Sequence, residues 1–317
     1  MARCFVTRRL PGPALGRLQQ AHEVEIWDGR LPPTPAELAR GAAEAEGLLT
    51  LLTDRVDAAL IDSSPRLRAI SNYAVGVDNV DLRAANRRGI PVGNTPDVLT
   101  DATADLTFTL LLAAARKLPQ AIESVAEGDW VTWEPGRYLG REVHGATLGI
   151  VGFGRIGRAV AARAEGFAMR VLHAGRGDLI DRLMDDADFV SLHAPLTPET
   201  HHLIDAPALD RMRSTAILIN TARGGLVDQP ALAHALEQGS IAGAALDVTD
   251  PEPLPPDHPL LRAPNLIITP HIGSATQAAR ERMAELAVEN LLAGLEGLPM
   301  PHQANELRGG AGVRQAN

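Results

Sequence analysis

Three side chains suited to carbonyl chemistry each stand just beyond an apolar run: Arg223 in "NTARGG", Glu252 in "LDVTDPEP" and His271 in "TPHIGS". Adding a hydride to a ketone builds negative charge on the carbonyl oxygen, and that oxygen needs a proton from a group that titrates near the working pH. An imidazole meets the need. A carboxylate on the far side of the ring fixes its orientation and favours the imidazolium, which gives Glu252 a purpose beside His271. A guanidinium holds a substrate carboxylate through paired bonds and polarises the neighbouring carbonyl, a task that suits Arg223 better than a lysine. Taken singly, each reads more readily as a surface arginine, a solvated glutamate or a structural histidine. Their common placement after strands argues for chemistry.

The elements that must position them are legible as alternating segments. In residues 1–99, "CFVT", "EVEIW", "GLLTLL", "LRAISNY" and "IPVGN" read as strands between helical stretches. A long helix follows over "ATADLTFTLLLAAARKL", with Thr100 or Asp101 as its cap, apolar nearly all round. After the Trp-bearing loop "EGDWVTWEPGRYLGREVHG", strands return as "TLGIVGF", "MRVLHA", "DFVSLHA", "AILINTA", "GAALDV" and "LIITPH". Such alternation predicts parallel sheets covered by helices, an α/β chain of two doubly wound domains. Open sheets of this kind bind ligands at the carboxyl ends of their strands, so Arg223, Glu252 and His271 should face one crevice. The final helix "ARERMAELAVENLLAGLEG" should pack back on the first lobe, and the tail "ELRGGAGVRQAN" should be frayed.

Between strand and helix, "LGIVGFGRIG" sets Gly152, Gly154 and Gly157 in G-x-G-x-x-G spacing. The first permits a tight turn, the second lets backbone approach a pyrophosphate, and the third lets helix and strand pack closely, a dinucleotide-binding pattern. The next strand ends "VLHAGRGD" without a terminal carboxylate, and Arg176 stands just beyond it. Arginine there accommodates a 2′-phosphate, so NADP(H) is the preferred cofactor; Asp178, close by, keeps NAD(H) open.

Composition removes other classes. A net charge of −9 with scattered arginines and no basic stripe disfavours nucleic acid and anionic membranes. No apolar run is long enough to span a bilayer, and no signal-peptide core follows the N-terminus, so the expected location is cytoplasmic. Cys4 is the single cysteine, excluding an intrachain disulfide, and no metal site is read from the sequence. Lys117, the only lysine, lies in neither a phosphate loop nor a Schiff-base setting.

The segments "SNYAVGVDNVDL", "GIVGFGRIGR", "NTARGGLVD", "LDVTDPEPLPPDHPL" and "TPHIGSAT", in this order, resemble the D-isomer-specific 2-hydroxyacid dehydrogenase family, most of all its glyoxylate/hydroxypyruvate reductases. The resemblance spans roughly residues 3 to 305. It implies a Rossmann-type cofactor domain, residues 100–282, inserted into a flavodoxin-like substrate domain of residues 1–99 and 283–317, in a homodimer. It assigns Arg223 to substrate binding, Glu252 to the histidine's partner and His271 to acid/base catalysis. Val75 and Gly76 would offer backbone N–H groups to the substrate carboxylate, with Leu52 nearby. Thr103, Arg155, Ile156, Ala194, Pro195, Thr221, Ala222, Asp247 and Gly273, with Arg223 and His271, match cofactor-lining positions. "GDWVTWEP" resembles the segment that these reductases lend to a partner's substrate pocket, with Trp133 as the candidate. Only "GDLIDRLMDDA" separates Arg176 from Asp188, where the family has a longer connection with another short strand; this shortening is expected to expose the adenosine side. Other readings stay open: reduction of another small 2-oxo acid, or a nucleotide-sensing module like the family's corepressors. A phosphoglycerate dehydrogenase would need room for a regulatory domain, and formate dehydrogenases carry a different histidine partner from Glu252.

Overall fold

The structure, a computed structural model, describes residues 1–178 and 180–307. The tail expected to fray lies, from residue 308, outside the described residues. Two compact units emerge, one of Met1–Leu99 with the described residues from Ala275 onward, the other of Thr100–Ser274.

The first unit holds β1 (Arg3–Val6), α1 (Ala14–Ala21), β2 (Glu23–Ile26), α2 (Pro35–Ala43), β3 (Gly47–Leu51), α3 (Ala58–Asp62), β4 (Ala69–Tyr73), α4 (Leu82–Arg87) and β5 (Val92–Gly93). Its sheet runs β2-β1-β3-β4-β5 with all pairs parallel. That is the flavodoxin-like order. Cys4, Phe5, Val6, Leu48, Leu49 and Ile70 are buried, as central strands covered on both faces require. Thr34 starts α2 with a capping box closed by Glu37.

The second unit holds α5 (Thr100–Ala115), α6 (Leu118–Ala126), β6 (Thr147–Val151), α7 (Arg155–Glu165), β7 (Arg170–Ala174), α8 (Asp181–Asp186), β8 (Phe189–Leu192), α9 (Ala206–Arg211), β9 (Ile217–Asn220), α10 (Gln229–Gln238), β10 (Gly243–Leu246) and β11 (Leu266–Ile268). Its parallel sheet runs β11-β10-β9-β8-β6-β7. The reversal of strand order between β6 and β8 is the switch point at which such sheets bind ligands. From β7 the chain passes through α8 alone to β8, so β7 is an edge strand, and its residues are exposed or half-buried up to Ala174.

Three details depart from the sequence reading. Helix α5 begins at Thr100 itself, so neither Thr100 nor Asp101 caps it; Asp101 and Asp105 instead meet Arg163 of α7. Lys117, at φ 52°, ends that helical run, and α6 starts as a separate helix with Pro119 in its first turn. The chain returns to the first unit at Ala275 rather than at 283, because α11 (Gln277–Leu295) is one continuous helix that belongs there whole. Its attachment is polar as well as apolar: Ser71 Oγ donates to Ala287 O and Tyr73 Oη to Arg280 O, both at 2.7 Å.

Candidate active site

Strands β9, β10 and β11 are parallel neighbours, so the segments carrying Arg223, Glu252 and His271 leave the sheet along one edge. Beyond β11 the backbone turns sharply, and His271 sits in the left-handed region at φ 53°. For a residue with a side chain this costs about 1–2 kcal/mol and persists only where neighbours enforce it. Asp247, 1% exposed at the end of β10, does the enforcing. Its Oδ1 accepts from Thr269 Oγ1 at 2.6 Å and Ile272 N at 2.8 Å, its Oδ2 from Gly273 N at 2.7 Å, and its carbonyl from His271 N at 2.9 Å. A buried carboxylate saturated in this way is a rigid mount.

From that mount the His271 ring meets Glu252, Nδ1 to Oε1 at 2.6 Å. Nδ1–H donating to the carboxylate leaves Nε2 as the nitrogen that can exchange a proton with a ligand. The pair is partly exposed, at 22% and 34% of side-chain surface, and so is open to solvent. Arg223 leads a short 3-10 turn, Gly224–Leu226, and is half-buried. Asn220 Nδ2 donates to Arg223 O at 2.8 Å, and the backbone of Thr249 passes so close to Gly224 that a Cβ there would lie 2.0 Å from Thr249 C. Gln229 binds Asp250 through both its N–H and carbonyl groups, so the Arg223 loop is pinned to the loop that carries Glu252.

The glycine turn fits a dinucleotide. Gly152, at φ 93°, approaches the β8 loop so closely that a Cβ would lie 2.5 Å from Ala194 N and His193 C, and a Cβ on Gly157 would lie 2.2 Å from Gly152 O. A Cβ on Gly154 would meet nothing within 4 Å, so open space lies before the N-terminus of α7, where backbone N–H groups and the helix dipole favour a pyrophosphate. Arg155 and Ile156 form that first turn, while Ala194 and Pro195 lie beyond β8 across from Gly152. Thr103, Asp247 and Gly273 come together: a Cβ on Gly273 would stand 3.2 Å from Asp247 Oδ2 and 3.5 Å from Thr103. Thr107 Oγ1 donates to Thr103 O and lies 2.8 Å from Thr221 Oγ1, which ties α5 to the Thr221–Ala222 turn.

Arg176 is exposed, in a turn closed by Gly175 N donating to Asp178 Oδ2 at 2.7 Å. Its charge reaches Glu199 in the segment after β8 and helps to hold that carboxylate below its ordinary range, although the hydrogen bond from Thr197 does more. Next to it, His173 stacks on Phe153 of the glycine turn with ring centres 4.0 Å apart.

In the first unit, Leu52 follows β3 and the Val75–Gly76 turn follows β4, its neighbour in the sheet. Leu52 and Val75 are both 36% exposed. An open depression of about 540 Å³ runs from Leu52 past Asp54 and Asn79 to Asp81. Trp133 is 79% exposed in the second unit's long loop. Sequence reasoning missed the work of Asp247, Thr269 and Thr107; the available signals were a polar residue at a strand end for the first two and a hydroxyl within an apolar helix for Thr107.

Residues 108–273, more than half of the chain, match the family described as D-isomer specific 2-hydroxyacid dehydrogenase, NAD binding domain. The chain belongs to that family. It is an oxidoreductase, and the matched domain falls inside the second unit. The family member from Korarchaeum cryptofilum named glyoxylate reductase is 46% identical, with 96% of each chain covered. A crystal structure of a protein from Thermus thermophilus superposes at a TM-score of 0.90 with 52% identity, covering 95% of this chain and 99% of that one. The NADPH-dependent glyoxylate/hydroxypyruvate reductase from Sinorhizobium meliloti, in complex with NADP and malonate, superposes at 0.84 with 32% identity, covering 95% and 96%.

Proposed function

We propose that this dehydrogenase reduces glyoxylate and hydroxypyruvate to the 2-hydroxy acids, of D configuration where the product carbon is chiral, with NADP(H) preferred over NAD(H). The observation that carries the reading is the 2.6 Å contact between His271 Nδ1 and Glu252 on a turn locked by Asp247. Relatives named glyoxylate reductase, and the NADP and malonate complex of one of them, support the substrate class and the cofactor.

A bound dihydronicotinamide supplies the hydride to the carbonyl carbon. His271 gives the proton from Nε2 to the carbonyl oxygen as negative charge develops there, and Glu252 holds the ring in the orientation that aims Nε2. The imidazole then recovers its proton from solvent. Arg223 binds the substrate carboxylate and polarises the adjacent carbonyl. From the family resemblance we assign the carboxylate also to the N–H groups of Val75 and Gly76, the small substituent to Leu52, and a partner-subunit contact to Trp133. We assign Thr103, the Gly152–Gly157 turn, Ala194, Pro195, Thr221, Ala222, Asp247 and Gly273 to the cofactor, and its 2′-phosphate to Arg176. A homodimer would cover the apolar face that α6 and the following loop expose, with Leu118, Ile122, Val125, Trp130 and Val131 in its path. A cytoplasmic location suits Cys4, whose burial pushes its thiol up to about 12 and keeps it unreactive.

A second reading, reduction of another small 2-oxo acid, rests on the apolar Leu52, since one methylene changes selectivity by only about 1–3 kcal/mol. One experiment separates them: steady-state rates with NADPH and NADH over a panel of 2-oxo acids, followed at the nicotinamide absorbance band. The proposal expects the highest kcat/KM for glyoxylate and hydroxypyruvate with NADPH. A larger 2-oxo acid as best substrate would favour the second reading, and no turnover with any pair would remove both.

A further inference from the structure

The turn after β4 presents an unusual arrangement of peptide groups. Three successive carbonyls are each taken from within the first unit: Ala74 O accepts from Thr95 N at 2.9 Å, Val75 O from Asn94 Nδ2 at 2.8 Å, and Gly76 O from Asn72 Nδ2 at 2.9 Å. None of the N–H groups of Val75, Gly76 and Val77 donates to a described residue. A trans peptide is planar, with its N–H opposed to its C=O, so fixing a carbonyl fixes the direction of the next residue's N–H. Thr95 thus aims the N–H of Val75, Asn94 that of Gly76, and Asn72 that of Val77. Three unspent donors on consecutive residues are what a backbone anion site is built from.

The two asparagines are themselves held. Asn72, fully buried, accepts from Thr50 Oγ1 at 3.0 Å and donates to Asn79 Oδ1 at 3.0 Å. Asn79 Nδ2 passes the constraint on to Leu51 O at 3.0 Å and Asp54 O at 2.9 Å, the two ends of the turn that bears Leu52. Asp54, also buried, accepts from Leu51 N and from Thr7 at the end of β1. Asn94 is anchored through its carbonyl by Asn290 Nδ2 of α11 at 2.8 Å. The network satisfies backbone carbonyls of both turns, which aliphatic side chains would leave unpaired. It also fixes the directions of three successive amides and ties them to the Leu52 turn.

We propose that Asn72 and Asn94 are positioning residues for recognition of the substrate carboxylate, acting through the peptide N–H groups of residues 75–77, of which Val77 is a third donor. The inference rests on the reading of the protein as a 2-oxo acid reductase and adds to it the residues that set KM without touching substrate. Their removal lets the peptide planes rotate, so the anion must be bound at the expense of ordering the turn.

The test uses the full-length protein, with oxamate, an unreactive 2-oxo carboxylate, as a binding probe read by calorimetry in the presence of saturating cofactor. Asn94→Ala and Asn72→Ala should each weaken oxamate and raise KM for glyoxylate by about 10- to 100-fold, the effect of losing aim on a charged acceptor. The kcat, the affinity for NADPH alone and the pH dependence of kcat should stay within about threefold, since neither residue meets the reacting atoms. Asn94→Gln, which retains the amide donor, should recover part of the loss. Asn94 is only half-buried, so its variant serves even if Asn72→Ala folds poorly. The inference is overturned if oxamate affinity and KM stay within twofold in Asn94→Ala, if kcat falls in place of KM, or if the wild type binds no oxamate. Oxamate binding without turnover of any 2-oxo acid would instead remove the assigned reaction, while the oxamate arm would still decide the role of the asparagines.

Discussion

At the β10–β11 end of the six-stranded sheet, both carboxylate oxygens of Asp247 are engaged and the backbone is forced into a left-handed turn that carries His271. At the opposite end, β7 has no outer neighbour among the described residues, and Arg176 stands on an exposed turn closed by two bonds between Gly175 and Asp178. The same parallel sheet supports both. The difference fits the roles proposed for the two ends: proton transfer depends on placement to fractions of an ångström, whereas recognition of a phosphate by a long, flexible guanidinium tolerates movement. Substitutions at the first end should therefore act on turnover and those at the second on cofactor choice, with unequal magnitudes.

The largest effect belongs to the imidazole. His271→Ala should lower kcat by about 10²- to 10⁴-fold with little change in cofactor affinity, the loss expected when a general acid is removed. Unchanged turnover in steady-state assays would erase the contrast at its source.

The middle of the sheet edge offers a second measure. His193, beyond β8, lies with Nε2 2.8 Å from Ser191 Oγ, and burial holds its pKa down to about 4. In the unfolded chain the ring titrates near 6.5. Between those values the unfolded state binds more protons, so stability is present in full above about pH 6.5 and is lost as the pH falls toward 4. From pH 7.5 to 5 the loss from this residue should be about 2 kcal/mol. Urea midpoints for wild type and His193→Gln should therefore converge on acidification; parallel pH profiles would contradict it.

Asp247→Asn tests the mount itself. An amide nitrogen set against Gly273 N–H would place two donors face to face, leaving at least one buried group unsatisfied, at a cost of about 1–3 kcal/mol. Turnover should fall by about 10- to 100-fold while the protein still binds cofactor, which equilibrium fluorescence titration would report. An undiminished kcat would mean that the strained turn needs no such support, and the two ends of the sheet would not differ as argued.

How far these regions could be read in advance depends on the range of the interactions that build them. The strands are legible because burial on both faces demands continuous apolar runs such as "AILIN" and "LGIV", and the glycine turn because its close approaches are local. The triad of Arg223, Glu252 and His271 stood out as polar residues directly after such runs. The support that Asp247 gives the His271 turn left no trace, since its hydrogen-bond partners, Thr269 to Gly273, lie more than 20 residues on. Asn72 and Asn94 left no signal at all: each looks like an ordinary strand-end amide until the turn at 74–77 is folded beside it. The start of α5 and the return to the first unit at Ala275 were misplaced because tertiary partners, Arg163 and the first sheet, decide them. The edge position of β7, in contrast, agrees with the connection before Asp188, which the family resemblance marks as short by a strand.

The smallest effect should come from that edge. Arg176→Ala removes one exposed charge that already shares its field with Glu199, and exposed ion pairs in water are worth no more than about 1 kcal/mol. A phosphate with two charges raises this somewhat, so NADPH should bind about 10-fold more weakly, with NADH unchanged within about twofold. Because Arg176 is open to solvent, raising the ionic strength from about 0.05 to 0.5 M should shrink the preference for NADPH proposed for the wild type, an effect that a buried pair would resist. Equal weakening of both cofactors in Arg176→Ala would show that the turn shapes the adenosine side as a whole rather than reading the 2′-phosphate. A loss as large as that of His271→Ala would show that the exposed end is as tightly organised in the complex as the Asp247 end is without it.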